Sequence, residues 1–410
     1  MENVPEIFSV FKQIVEEEIS NKNHLLLSPR NRFRTKMLLE NLVSNISSNY
    51  IDENEFIKLV VNMKLPMPLE SLWYLQVHHL FYLGSYVYFH PDQAKKLPEL
   101  LVQLACLTND KNLGVQREDC AHIKQIYTDF FIELLICIKG PQIGNISPSF
   151  QTAWLKTSSI IWQSIRRRFL SMLLNQIEEF NINYLKELRE RNVLTDRVIQ
   201  EVYMDHLHTI VKHKPYVKVQ MAIQHQSSWI KANLDKNILN MFTEIIQYIS
   251  SPLDELVIIM KEEEISWKWC LIAASICLDI DPNSQKLKII IDNLIHRAFD
   301  KSDADYLLIS FLLVRQASYE NLCGFDSYST WFSIKFGIDS IGPPSKDHAS
   351  FKFLIGFLSS IIPYESEEIL KMHLEKSFAA PPGSMSLIKE YKSLIQTRLS
   401  DINQEASQLH

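Results

Sequence analysis

Glycine is scarce, with nine residues in a chain of 410. Folds that spend glycine on turns and phosphate-cradling loops, such as all-β sandwiches and nucleotide-binding α/β sheets, are poorly served by so few. The motifs of familiar chemistry are missing too: no P-loop, GxSxG, HExxH, GxGxxG or zinc-finger spacing occurs. The six cysteines, Cys106, Cys120, Cys137, Cys270, Cys277 and Cys323, form no CxxC pair. Cys137 in FIELLICI and Cys277 in LIAASICL lie in apolar runs, which predicts reduced, buried thiols.

Long apolar runs are also lacking. The cleanest, Tyr306 to Val314, has nine residues, whereas a bilayer span needs ~20, so no membrane crossing is expected. The first residues, MENVPEIFSVFKQIVEEE, are acidic and amphipathic and have neither the basic start nor the apolar centre of a secretory signal. Nor is there an excess of positive charge. Lys and Arg number 42 against 48 Asp and Glu, for a net charge of −6. A mildly acidic chain does not attract a polyanion through its overall field, so direct nucleic-acid binding by this region is not expected.

What is present is material for a core, with 46% apolar residues. The length exceeds the ~250–300 residues at which single cores stop growing, which predicts several units or one elongated array. Apolar residues recur at spacings of three and four, the helical period. Leu287, Ile291, Leu294 and Ala298 form one such stripe, with Lys288, Asp292 and Arg297 off it. Ser251-Pro252 with Asp254, and Ser302 with Asp305, read as helix starts with capping spacing. Tyr306 to Val314 is apolar on every side, so neighbours must cover it all round. Breaks fall at Gly140–Pro148, His213–Tyr216, Asp279–Ser284, Gly337–Asp347 and Ala379–Gly383, and the breaker-free stretch Ser164–Asn192 predicts one long, partly exposed helix. The expected fold is all-α, an elongated, irregular helical-repeat solenoid of the HEAT type. Its soft divisions are residues 1–148, 149–280 and 281–410.

Candidate sites are few. His206 and His208, with His213 nearby, sit at a spacing that sends ligands to different faces of a helix, and Cys120 with His122 shares that defect. Asp279, Asp281 and Asn283 imitate the first half of a calcium loop, but Pro282, Ser284 and Ile290 occupy positions where that loop fails, so a turn is expected. His78 and His79, in SLWYLQVHHLFYLGSYVYF, read as core histidines, packed or hydrogen-bonded. Two basic clusters, Arg30, Arg32, Arg34 and Lys36, and Arg166, Arg167 and Arg168, can contact phosphate or serve nuclear import, while the plainer reading is a solvated helix face. No catalytic, cofactor-binding or metal residue is assigned, no cofactor is expected, and the partner-binding surface is left open.

Several spaced elements resemble the Fanconi anaemia group A family. They are Val314-Arg315-Gln316-Ala317 after an apolar helix, then Ser327-Tyr328, Trp331-Phe332 and Phe336-Gly337. A Pro363-Tyr364-Glu365 turn follows, then Pro381-Pro382, Tyr391, Thr397-Arg398-Leu399 and Asp401. Leu69–Asp92 and Ile210–Val219 are similar as well, so the resemblance spans most of residues 69–402. The family's basic nuclear-import segment has no clear counterpart, Arg30–Lys36 being the nearest substitute. The resemblance implies an elongated helical scaffold without catalytic residues. It implies a subunit of the nuclear Fanconi anaemia core complex, a ubiquitin ligase of interstrand-crosslink repair, found also in the cytoplasm. Pairing with a group G protein and self-association are implied likewise. The residues alone fit equally a generic helical adaptor for assembly or transport outside DNA repair.

Overall fold

The computed structural model describes residues 4–48, 52–107, 117–140, 148–175, 182–214, 216–262, 264–281, 284–322 and 324–408. Among these residues are twenty-two α-helices and three 3-10 turns, with no strand and an isolated antiparallel bridge between Gly337 and Phe378. The all-α class therefore stands as the apolar period predicts. The chain divides into two compact units, Met1–Val202 and Tyr203–His410. The breaks expected before Pro148 and after Ile280 separate helices inside these units.

In the N-terminal unit, the helix Val4–Ser20 packs on Pro29–Ser47 and Glu53–Val61. Phe56 closes edge-on against Phe8 and Phe11, each at 6.2 Å between ring centres. The heart of the unit is aromatic. Phe131 of Arg117–Lys139 meets Trp162 and Phe169 of Pro148–Leu174 and Tyr184 of Asn183–Glu190, at 5.7, 5.4 and 5.1 Å. Edge-to-face pairs of this kind add about 0.5–1.5 kcal/mol each beyond their burial. The stretch Ser164–Asn192 is not one helix: Pro148–Leu174 stops, and Asn183–Glu190 starts afresh after Ile182. Asn175 lies in the turn that ends the first helix and Asn183 opens the second, and asparagine is a weak helix former.

The C-terminal unit is built around two helices buried on every face. Trp267–Ile280 is buried from Trp269 to Leu278, and Ala304–Tyr319 from Ile309 to Ala317. They pack on each other, with Lys236–Ile246, Pro252–Ile259 and Ser284–Lys301 around them. The covering demanded by Tyr306–Val314 is thus supplied, and the Leu287–Ala298 stripe is buried as expected. Phe311 sits among Trp331, Phe336 and Phe357 at 5.3, 5.8 and 5.3 Å.

Side-chain caps set many helix starts. Asp52, Asp235, Asp303, Ser327, Asp347 and Ser366 each accept from a backbone N–H of the first turn. Two expected caps are corrected. Ser251 precedes Pro252 as predicted but is left-handed (φ 50) and makes no capping bond. Ser302 is left-handed too (φ 51), and the cap is Asp303, whose carboxylate accepts from the Asp305 N–H. The Asp303 carboxylate also takes Lys261 at 2.9 Å, a partner remote in sequence that local spacing does not show. Between Glu367–Glu375 and Met385–Gln408, Pro381 and Ser384 close a turn at 3.2 Å, with Gly383 at φ 87, the positive φ that a type II turn requires there.

Candidate functional site

The sequence candidates are dispersed. His206 is buried, and His208, two residues on and on another face of the helix, is only partly so. Among the described residues no three His, Cys, Asp or Glu are grouped to hold a metal. Pro282 and Asn283 of the calcium-loop imitation lie outside the described residues, as does Cys323. Two histidine expectations are corrected. His79 is exposed and left-handed (φ 61), its Nδ1 3.1 Å from the Tyr82 hydroxyl, while His78 is half-buried at the end of Leu69–Val77. Both stand where that helix stops, so the apolar run that seemed to enclose them turns away. The thiols divide likewise. Cys270 and Cys277 are buried, and burial pushes both thiols up in pKa, whereas Cys106 is exposed.

Half of the first basic cluster turns inward, Arg32 and Arg34, while Arg30 and Lys36 stay exposed. Arg34 pairs with Glu17 at 3.0 Å, and Arg32 pairs with Glu70 at 2.5 Å and with Asp119 at 3.0 Å. Glu70 is fully buried in Leu69–Val77 and is well supplied with donors. Its Oε2 accepts the Leu27 N–H at 2.7 Å, and its Oε1 lies 2.7 Å from Nε2 of His122. The His122 ring stands edge-on to Trp73 at 5.0 Å, and the Trp73 indole N–H donates to Asp129 at 2.7 Å. Arg191 reaches the same Asp129. Nearby, Glu18 is buried, and burial alone would raise its pKa. Hydrogen bonds from Ser28, Asn23 and Asn31 bring it below the ordinary value instead. This set of bonds ties five segments of the N-terminal unit.

A second network lies in the C-terminal unit and is sealed. Arg315, on the all-round buried helix, donates to both carboxylate oxygens of Glu365 at 3.0 and 2.6 Å. Its guanidinium also donates to the Tyr328 hydroxyl at 3.2 Å and stacks over that ring at 4.7 Å. Tyr328 is 3.1 Å from Nε2 of His373, whose Nδ1 is 2.6 Å from the Tyr391 hydroxyl. Donor logic orders the chain. Tyr328 accepts from Arg315, so its own proton goes to Nε2. The His373 Nδ1–H then donates to Tyr391. A neutral imidazole fits this path, and burial, reinforced by the Arg315 charge, holds the His373 pKa down to about 3. Phe332 stacks on the imidazole at 4.5 Å. Next along the helix, Gln316 donates to the Trp229 carbonyl at 2.8 Å and the Ser275 hydroxyl at 2.7 Å, and accepts from Gln226 at 2.9 Å.

Most donors and acceptors of the two networks are taken up by other parts of the protein, Arg315 Nε and Gln226 Oε1 being buried without a partner among the described residues, so what the networks do is fix helices relative to each other within a unit. Two open grooves occur in the C-terminal unit. One, of about 520 Å³, is lined by Ala304, Lys352, Phe353, Gly356, Phe357 and Ser360. The other, of about 410 Å³, is lined by Ile362, Pro363, Leu394, Thr397, Arg398 and Asp401. The sequence reading missed both networks, yet a signal was present. Arg315 is a charge in a helix otherwise apolar on every side, and a buried charge requires a partner.

A family model described as Fanconi anaemia group A protein N terminus matches residues 15–405. The chain belongs to the Fanconi anaemia group A family. It is 25% identical over 409 residues to the Fanconi anemia group A protein homolog of Mus musculus, covering 96% of this chain and 28% of that protein. It is 23% identical over 406 residues to the Fanconi anemia group A protein of Homo sapiens, covering 95% of this chain and 27% of that one. The chain thus spans less than a third of either relative. Four residues by which the sequence resembles the group A family, Arg315, Tyr328, Glu365 and Tyr391, meet in the sealed network. What the family-like spacing encodes in this region is a packing core with a charged centre.

Proposed function

We propose that this chain is a non-catalytic scaffold region of the Fanconi anaemia core ubiquitin-ligase complex, acting in the nucleus in repair of DNA interstrand crosslinks, with a cytoplasmic pool. The observation that carries the reading is the family match across residues 15–405. The build of both units supports it, since polar networks and aromatic clusters make them rigid bodies for holding partners. The mechanism is positional. A scaffold that binds the ligase and its substrate converts their meeting into an intramolecular event and raises effective concentration without chemistry of its own. A group G-like protein is the partner we expect.

Affinity purification and mass spectrometry from cells treated with a DNA crosslinker test this. Fanconi core subunits should co-purify with the chain, and deletion should make cells crosslinker-sensitive. A chain that stays cytoplasmic with transport or assembly factors, and whose deletion leaves crosslinker survival unchanged, would instead be a generic helical adaptor.

A further inference from the structure

The second basic cluster belongs to an unusual helix. Pro148–Leu174 runs 27 residues with four cations, Lys156, Arg166, Arg167 and Arg168, and no Asp or Glu. It does so in a chain whose net charge is −6. One stripe of this helix, Lys156, Ile160, Gln163 and Arg167, faces solvent throughout, with Arg168 exposed at its edge. The spacings of four, three and four keep the stripe on one face over about 16 Å. Among the described residues, Lys156, Arg167 and Arg168 make no ion pair. Between the cations, Ile160 leaves 58% of its surface in water. The first basic cluster, by contrast, uses Arg32 and Arg34 on the chain's own acids.

We propose that this stripe docks an acidic peptide segment that also carries apolar side chains. The inference deepens the scaffold reading and rests on it. Charge complementarity decides the sign of the partner, because the helix has no acid of its own and three of its cations have no counter-charge among the described residues. The exposed Ile160 at the centre decides the class. Peptide helices pair apolar anchors at this spacing with flanking charges. A nucleic acid would draw on a broad cationic field, and three free cations on an acidic chain do not provide one.

The test is fluorescence anisotropy with the whole chain and three labelled probes. The first is a helical peptide of about four turns with Leu at every third or fourth position and Glu on both flanks. The second replaces Glu by Gln, and the third is oligo-dT of about 20 nucleotides. The Glu–Leu peptide should bind, and the Gln version should bind at least about fivefold more weakly. The combined Lys156→Glu, Arg167→Glu and Arg168→Glu variant should lose at least about tenfold. Ile160→Ser should lose about fivefold, since it removes the apolar anchor. All four positions are on the surface, so the thermal melt should be unchanged. No binding by the wild-type chain, binding indifferent to the triple charge reversal, or tighter capture of oligo-dT than of peptide overturns the proposal. A wild-type chain that captures Fanconi subunits yet ignores the peptide removes this surface and leaves the scaffold reading standing. One that binds the peptide and captures no subunit does the reverse.

Discussion

In the N-terminal unit Glu70 has no exposed surface, but Arg32 and His122, which hold it, keep 25% and 23% of their side chains in water. In the C-terminal unit Arg315 and Glu365 keep 3% and 1%. The chemistry is the same, a carboxylate held by a guanidinium and extended by a histidine, while the access to solvent differs. A pair that water can reach has a substitute when one member is lost. A sealed pair has none, because each charge was taken out of water on condition that the other is there. The comparison teaches that the sealed network should behave as one object and the open one as separable bonds.

The largest expected effect is therefore Glu365→Gln, which leaves the Arg315 charge buried without its counter-charge and should cost the C-terminal unit about 3–5 kcal/mol in denaturant unfolding. Replacing both partners, Arg315→Met with Glu365→Leu, should recover most of that loss, within about 1–2 kcal/mol of the wild type. A single substitution no worse than the double one would break the comparison. A smaller effect is expected for Glu70→Gln, about 1–3 kcal/mol, because Gln can still accept at Leu27 and Arg32 still holds Asp119. Equal losses at Glu70 and Glu365 would show that exposure at the rim is irrelevant. The gentlest effect, taken per pH unit, is a slope and not a step. His373 takes up a proton in the unfolded chain near the ordinary histidine value, but in the folded unit only near about 3. Between those values unfolding binds a proton, so stability should fall as pH falls, by about 1.4 kcal/mol per pH unit at most. His373→Gln should flatten that slope, and an unchanged pH profile would remove His373 from the sealed network.

The helical class was legible because scarcity of glycine and a three-four apolar period are local properties, and so were the breaks at Asp279–Ser284 and Ala379–Gly383. Local rules faltered where a remote partner or a weak propensity intervened. Asp303 and not Ser302 caps its helix, with Lys261 also on that carboxylate, and the helix that enters Ser164–Asn192 ends at Leu174 in a turn at the weak helix former Asn175. The polar networks were the least legible part. Arg315 and Glu365 lie 50 residues apart, Tyr328 and His373 45 apart. Nothing in the spacing of letters says that these side chains meet. The charge within an apolar helix announced that a partner was needed, but not which one. The resemblance identified family-like letters without saying that four of them share one centre.

The two sulfurs of Trp267–Ile280 give the C-terminal unit a built-in clock. Cys270 and Cys277 sit on a helix walled in on every face, and a thiol so placed cannot be attacked by a maleimide until that helix leaves its neighbours. The rate at which those two positions become alkylated therefore reports how often this half of the chain opens, while Cys106, exposed in the other half, reacts from the start and serves as the internal standard.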